Sequence, residues 1–184
     1  MVYVLLAEGF EEIEALCPVD ILRRGGVEVS TVSIGKTTAV KGAHNIVVEA
    51  DTTIARVLRD PGLADHIEAL VLPGGMPGAS NLDESEDVEK LLAVASITES
   101  CIGAICAAPM ILGKRGMLAG KRAVCYPSFE EKLLGADITD KKVVSDGSIV
   151  TAKAMGSAVD FGLELLRRMK GLDEMNRVKD SIFY

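Results

Sequence analysis

The chain has 184 residues, of which 48% are hydrophobic and 26% are charged, and its formal net charge is −7. This composition fits one folded domain, residues 1–184, and excludes a disordered chain. The acidic balance argues against nucleic acid and anionic membranes as partners, because both require a basic face. From this sequence we expect neither a signal peptide nor a membrane span, and its four cysteines form no metal-type pair. We therefore expect reduced thiols, no bound zinc and a cytoplasmic location.

Strand and helix patterns alternate along the whole chain. In chain order they predict a strand at 2–7, a helix at 10–25, strands at 28–34 and 45–49, a helix at 52–59, a strand at 69–72, a helix at 87–99, a strand at 101–105, a helix at 108–118, a strand at 122–126, a hairpin at 143–152 that turns at Asp146-Gly147, a helix at 157–169 with Ser157 as its N-cap, and a helix at 173–179. This alternation predicts an α/β fold with a mostly parallel sheet and helices on both faces. Ligands of such sheets bind beyond the carboxyl ends of the strands.

Cys106 is the first candidate for chemistry. It lies between a predicted buried strand and a predicted helix, with no room for a loop between them. A nucleophile elbow has this arrangement, and it needs small neighbours because the two backbones come close together. Gly103, Ala104, Ala107 and Ala108 provide them. A cysteine at the start of a helix has its thiolate stabilised by the partial positive charge there. The alternative is a buried structural cysteine, and the residues alone leave the two interpretations about equally supported.

The segment from Leu72 to Gly78 follows a strand and is rich in glycine and proline. Such a loop can present backbone N–H groups to an anion or to a developing oxyanion. By itself it is better interpreted as a plain turn. Next to a nucleophile at a parallel strand end, it is better interpreted as the oxyanion wall.

The first predicted helix begins with the acidic residues Glu11, Glu12 and Glu14. Of these, Glu14 has a second possible role besides a solvated acid. Pro18 removes the helical hydrogen bond to the carbonyl of Glu14, which would bend the helix and direct Glu14 into the cleft. A buried carboxyl there would have a raised pKa and could donate a hydrogen bond to a thiolate. Glu11 and Glu12 are interpreted as a solvated face, whereas for Glu14 both possibilities stay open. His44 could border the site, and His66 is expected at the surface.

The motifs together resemble the ThiJ/PfpI superfamily, in the branch of the Parkinsonism-associated protein deglycase and its bacterial relatives. The resemblance runs nearly from end to end. It rests on the segments Glu8–Glu14, Pro18–Gly26, Leu72–Gly78 with Asn81-Leu82, Ala104–Pro109, and Asp146-Gly147 with Thr151.

The resemblance implies a flavodoxin-like three-layer sandwich, a homodimer, and neither metal nor organic cofactor. It implies that Cys106 is the nucleophile and redox-sensitive thiol, and that Glu14 is its protonated partner. The backbone N–H groups of Gly75 and Ala107 take the oxyanion role. Arg24 and His44 match positions that border the site near the dimer interface.

Two departures from the superfamily pattern narrow the function. Tyr126 stands where many relatives carry a histidine, and a phenol is a poor base near neutral pH. Ala107 follows the cysteine, whereas the protease branch has a histidine there. The first departure puts a Cys–His dyad in doubt, and the amidotransferase triad likewise lacks its histidine here. The second departure argues against a peptidase.

Two functions then stay open. One is a cofactor-free glyoxalase or protein deglycase acting on methylglyoxal, a small reactive aldehyde, or on its early adducts. The other is an oxidative-stress sensor or redox-regulated chaperone that works through Cys106 oxidation. Both need the same reactive sulfur, so the motifs do not separate them.

Overall fold

A computed structural model describes residues 1–184. Its strands are β1 (Val2–Leu6), β2 (Val29–Ser33), β3 (Ala39–Lys41), β4 (Val47–Glu49), β5 (Thr52–Thr53), β6 (Ala69–Leu72), β7 (Cys101–Ile105), β8 (Arg122–Ala123), β9 (Asp137–Ile138), β10 (Val143–Asp146) and β11 (Ile149–Ala152). Its α-helices are α1 (Glu12–Arg24), α2 (Ile54–Val57), α3 (Leu63–His66), α4 (Gly78–Glu84), α5 (Glu86–Ile97), α6 (Pro109–Lys114), α7 (Ala158–Lys170) and α8 (Leu172–Ser181). Short 3₁₀ turns lie at Glu130–Lys132 and Met155–Ser157.

Seven strands form the main sheet in the order β10-β11-β7-β6-β1-β2-β5. Every neighbouring pair is parallel except the β10–β11 hairpin. The central strands are buried on both faces, so they consist of continuous apolar runs such as Val2–Leu6. The predicted mostly parallel sheet is confirmed.

Alternate side chains of β1 enter two separate cores. Leu5 lies in a core that includes side chains of α5 and α6, whereas Val4 lies in a core with side chains of α1 and α7. The period of two along a strand places these neighbours on opposite faces. The molecule is therefore the predicted flavodoxin-like three-layer sandwich. None of its helices combines the length and apolar character needed to cross a bilayer.

Two predicted elements are wrong in type or extent. The helix predicted at 52–59 begins only at Ile54 and ends at Val57, because Thr52 and Thr53 pair with β2 as an edge strand. Threonine is β-branched and fits a pleated edge better than a helix. The strand predicted at 122–126 is reduced to Arg122–Ala123, which pairs with β9 outside the main sheet. Residues 122–126 cannot pair with β11 in the main sheet, because β7 and β10 already fill both neighbouring positions of β11.

Several smaller features also refine the predictions. The hairpin predicted at 143–152 is confirmed, and Gly147 adopts a φ of 59° in its turn. Pro18 does not interrupt α1. Ser157 occupies the N-cap position of α7, but its side chain makes no capping hydrogen bond. The pattern missed the short helices α3 and α4 and strand β3.

Candidate active site

Cys106 forms a strained turn directly after β7. Its φ is 65°, a left-handed conformation that a residue with a Cβ rarely adopts. Its N–H donates to the carbonyl of Ala152 at 2.9 Å, and its carbonyl accepts from the N–H of Tyr126 at 2.8 Å. The structure therefore confirms the predicted elbow, which is held from both sides by backbone hydrogen bonds.

Small residues around the elbow allow strand and helix to approach. A Cβ added at Gly103 would lie 2.9 Å from Cζ of Phe161, on α7. Ala104, Ala107 and Ala108 are all buried. The predicted need for small side chains at these positions agrees with the packing.

The Gly74-Gly75 loop passes between Cys106 and the start of α1 with no space to spare. A Cβ on Gly74 would lie 2.5 Å from Oε2 of Glu14 and 2.7 Å from Cβ of Cys106. Gly75 has a φ of 87°, and a Cβ there would lie 2.4 Å from the backbone nitrogen of Glu11. The sequence indicated the loop, but it did not show that Gly74 packs against both reactive side chains.

Glu14 is buried beside the thiol, with a relative exposure of 1%. Its Oε2 accepts a hydrogen bond from the N–H of Gly74 at 3.0 Å, and its carboxyl is hydrogen-bonded to Cys106. Burial raises its pKa to about 7, although the hydrogen bonds from Cys106, Gly74 and Met155 oppose this change. The sequence left open whether Glu14 belongs to a solvated face or points into the cleft, and the geometry favours the cleft.

The half-buried sulfur of Cys106 receives two backbone hydrogen bonds, from the N–H groups of Ala107 and Gly75. These donors lower the pKa of the thiol. Burial and the facing Glu14 carboxyl outweigh them and raise this pKa to about 12. From the sequence we expected the helix start and a protonated Glu14 to favour the thiolate, whereas in the free site burial and the Glu14 carboxyl favour the protonated thiol. The thiol must transfer its proton before it can react, and the Glu14 carboxylate is in contact to receive it.

Tyr126 borders the elbow through its backbone. The residue is 46% exposed, and its ring meets that of Phe129 edge-on, with ring centroids 6.4 Å apart. The histidines are engaged elsewhere, since His66 contacts Tyr3 and Asp60, and His44 contacts Glu12. Glu14 is therefore the titratable side chain that hydrogen-bonds to the nucleophile.

Glu12 is not part of a solvated acidic face, which corrects the prediction. It is 3% exposed, and its two oxygens accept from the backbone N–H and the ring Nδ1 of His44, both at 2.8 Å. Burial alone would raise the pKa of Glu12, but the His44 side chain and nearby backbone N–H groups together lower it. The contact with Glu12 and the charge of Glu11 raise the pKa of His44.

Glu11, Glu12 and His44 also form a group with metal-ligating side chains, whose ligand atoms lie within 4.8 Å of one another. The hydrogen bonds of Glu12 with His44 account for this arrangement without a metal ion. His44 reaches α1 through Glu12, which lies with Glu14 in the first turn of this helix, and its site-bordering role stays a prediction.

Arg24 lies away from Cys106 in this chain. It occupies the last position of α1, roughly 15 Å along the helix from Glu14. Its Nε forms a 2.6 Å ion pair with Asp20, and its carbonyl accepts from Arg177. A site-bordering role for Arg24 at a dimer interface stays a prediction.

The two largest cavities do not include the elbow. One of about 530 Å³ lies at the amino terminus, and another of about 400 Å³ lies where α4 meets α5. Neither is lined by a cysteine. The candidate active site is therefore assigned by its chemistry at the carboxyl end of β7, where sheets of this type bind ligands.

The model of the DJ-1/PfpI family matches residues 1–168. The chain belongs to this family. The Drosophila melanogaster protein dj-1beta is 34% identical over 181 residues, covering 97% of this chain and 94% of that protein. This membership confirms the resemblance predicted from the motifs.

Two further members of the DJ-1/PfpI family extend the comparison. The Caenorhabditis elegans protein named glutathione-independent glyoxalase DJR-1.2 is 31% identical over 179 residues, covering 94% of this chain and 90% of that protein. A crystal structure of a mutant DJ-1 superfamily protein from Salmonella typhimurium has a TM-score of 0.91 and 34% identity, covering 100% of this chain and 97% of that one.

Proposed function

We propose that the protein is a cofactor-free glyoxalase that converts methylglyoxal to lactate. The observation that carries this proposal is the Cys106 thiol, which is hydrogen-bonded to the buried Glu14 carboxyl and faces the N–H groups of Gly75 and Ala107. The name of the similar C. elegans protein supports the same activity.

The first step forms a carbon–sulfur bond. The S–H proton of Cys106 passes to the Glu14 carboxylate while sulfur adds to the aldehyde carbon, giving a hemithioacetal. The N–H donors of Gly75 and Ala107 stabilise the negative charge that develops on oxygen. A Glu14 pKa of about 7 suits this exchange, since the group gains and loses a proton readily near neutral pH.

The next steps move protons and add water. Glu14 returns its proton to the oxygen, removes the proton from the former aldehyde carbon and delivers it to the neighbouring carbon. The hydroxyl proton on the first carbon then moves to the oxygen of the second carbon, which leaves a carbonyl on the first and a hydroxyl on the second. The first carbon is thereby oxidised and the second reduced, leaving a lactyl thioester on Cys106. Water hydrolyses this ester, which releases lactate and restores the thiol. No external oxidant or reductant is needed.

The deciding experiment measures lactate formed from methylglyoxal by the wild type, Cys106→Ser and Glu14→Gln. We expect Cys106→Ser to have no activity above background, and Glu14→Gln to lose roughly 100-fold or more in kcat. Equal rates for the wild type and Cys106→Ser would reject the proposal. Protein deglycation is a more specific form of this activity. It is supported if the protein repairs early methylglyoxal adducts faster than it consumes free methylglyoxal.

A redox-sensing role is the second candidate, because the same contacts suit an oxidised sulfur. Peroxide would oxidise the thiolate to sulfenic and then sulfinic acid, with each peroxide reduced to water. Gly75, Ala107 and a protonated Glu14 would then donate hydrogen bonds to the sulfinate oxygens. Mass spectrometry after mild peroxide tests this role, and equal oxidation of all four cysteines would count against it.

We also propose that two copies pair through the surface beside the site, as the family resemblance implies. Ile13, Ile46 and Val47 are each at least half exposed, and the contact between Glu12 and His44 brings the loop that precedes Ile46 to α1. Sedimentation equilibrium should give twice the chain mass, and Ile46→Asp should reduce it to one. The four free cysteines suit the reducing cytoplasm as the location.

A further inference from the structure

The strained conformation of Cys106 persists only if the surrounding structure over-determines it. In one of its two backbone hydrogen bonds the Cys106 N–H donates to the carbonyl of Ala152, which lies in the main sheet. The other comes from the N–H of Tyr126, which lies outside every strand. The position of the Tyr126 N–H therefore depends on what holds residues 124–126.

The backbone just before Tyr126 is anchored by one buried side chain. The N–H of Val124 donates to Oγ1 of Thr151 at 3.0 Å. Val124 and Thr151 are 2% and 1% exposed, so water does not readily replace this acceptor. Thr151 sits on β11 immediately before Ala152, whose carbonyl accepts from Cys106. Two consecutive residues of β11 thus hold the elbow, one directly and one through the 124–126 segment.

We propose that the Thr151 hydroxyl is a positioning group for the nucleophile. It fixes Val124, which places the Tyr126 N–H on the Cys106 carbonyl and keeps the sulfur between Glu14 and the donors at Gly75 and Ala107. Thr151 touches neither the thiol nor the substrate in this role. The inference rests on the proposed function for its kinetic test, whereas its structural test is independent of turnover.

The reason for a hydroxyl at this position lies in the sheet. Both edges of β11 are occupied by β7 and β10, so its backbone cannot also accept from Val124 in a ladder. A side-chain oxygen on β11 provides the missing acceptor. Valine has nearly the shape of threonine but cannot accept a hydrogen bond, so Thr151→Val removes this single contact.

The experiment compares the wild type, Thr151→Val and Thr151→Ser. In Thr151→Val we expect kcat for lactate formation to fall roughly 10- to 100-fold with KM changed less than about 2-fold, because the reacting groups are displaced while substrate still enters. Amide hydrogen exchange at Tyr126 and Cys106 should accelerate. Thr151→Ser should restore both properties.

Thr53→Val is the matched control, since Thr53 is also buried but lies on β5 at the opposite edge of the sheet. It should leave kcat and exchange at the elbow unchanged. If Thr151→Val does not fold, Thr151→Ala removes the same hydroxyl with less apolar bulk. Wild-type kcat and exchange in a hydroxyl-free variant, or a Thr151→Ser variant as impaired as Thr151→Val, would overturn the proposal. If the wild type makes no lactate, the proposed function fails, while the exchange measurements still decide the role of Thr151.

Discussion

Replacing Glu14 with glutamine should change how the stability of the protein depends on pH. Burial raises the pKa of this carboxyl from its ordinary 4.5 to about 7 in the folded state. Between these two values the folded protein holds a proton that the unfolded chain has released. The wild type therefore loses stability as pH rises through this window, and the loss is complete above about pH 7. Glutamine does not ionise, so the stability of Glu14→Gln does not fall with pH for this reason.

The size of the effect follows from the two pKa values. A difference of about 2.5 units corresponds to about 3.4 kcal/mol in the free energy of unfolding at full ionisation. Part of this stability is already lost at about pH 5, so the loss between about pH 5 and about pH 8 is about 2.5 kcal/mol. Relative to the wild type, Glu14→Gln should gain this amount over the interval. His44, whose pKa is also raised, is present in both proteins and cancels in the comparison.

Urea denaturation of both proteins at about pH 5 and about pH 8 measures this double difference. Glu131→Gln, which removes an exposed carboxyl far along the chain, reports the effect of losing one negative charge. A double difference below about 0.5 kcal/mol, or one of opposite sign, would refute the assignment of a protonated, buried Glu14.

Three further predictions follow from the same contacts. Glyoxalase kcat/KM should rise with pH through about 7, because Glu14 must be ionised to accept the thiol proton; a flat profile from about pH 6 to about pH 8 would contradict this role. Gly75→Ala should destabilise the protein by about 3 kcal/mol or more in urea titrations, whereas Gly116→Ala, at a φ of 69° with open space around it, should cost about 1–2 kcal/mol. Glu12→Ala should cost about 1–3 kcal/mol and speed amide exchange at His44, which loses its acceptor; unchanged exchange would show that Glu12 does not anchor this loop.

The elbow could be predicted from the sequence because its requirements are local. A buried strand, a cysteine and small neighbours are adjacent in the chain, and each implies the same backbone geometry. The sheet and its two helical layers were predictable for a similar reason, since alternating apolar periods determine them. The resemblance to known motifs then paired Glu14 with Cys106, a contact across 92 positions that no local pattern contains.

The errors arose where distant contacts override local preference. Glu12 has the sequence context of a solvated acid, but a loop 32 residues later supplies His44 and buries it. Residues 122–126 have the composition of a strand, yet the neighbouring positions on β11 were already taken. Gly74 belonged to a recognised loop, and only the three-dimensional approach of Glu14 and Cys106 explains why no side chain fits there.

The protonation state of the Cys106 thiol has the clearest functional consequence. A permanently ionised thiolate would be reactive towards any oxidant or electrophile at all times. In the structure, burial and Glu14 keep the proton on Cys106, and the donors at Gly75 and Ala107 favour the charge on sulfur once that proton has moved. Reactivity therefore depends on the proton passing to Glu14, whose pKa of about 7 makes both of its states accessible. The ionised carboxylate activates the thiol, and the protonated carboxyl stabilises the oxygen or oxidised sulfur formed afterwards. One carboxyl thus supplies what the absent histidine would supply in a dyad, which is why Tyr126 is compatible with a reactive cysteine.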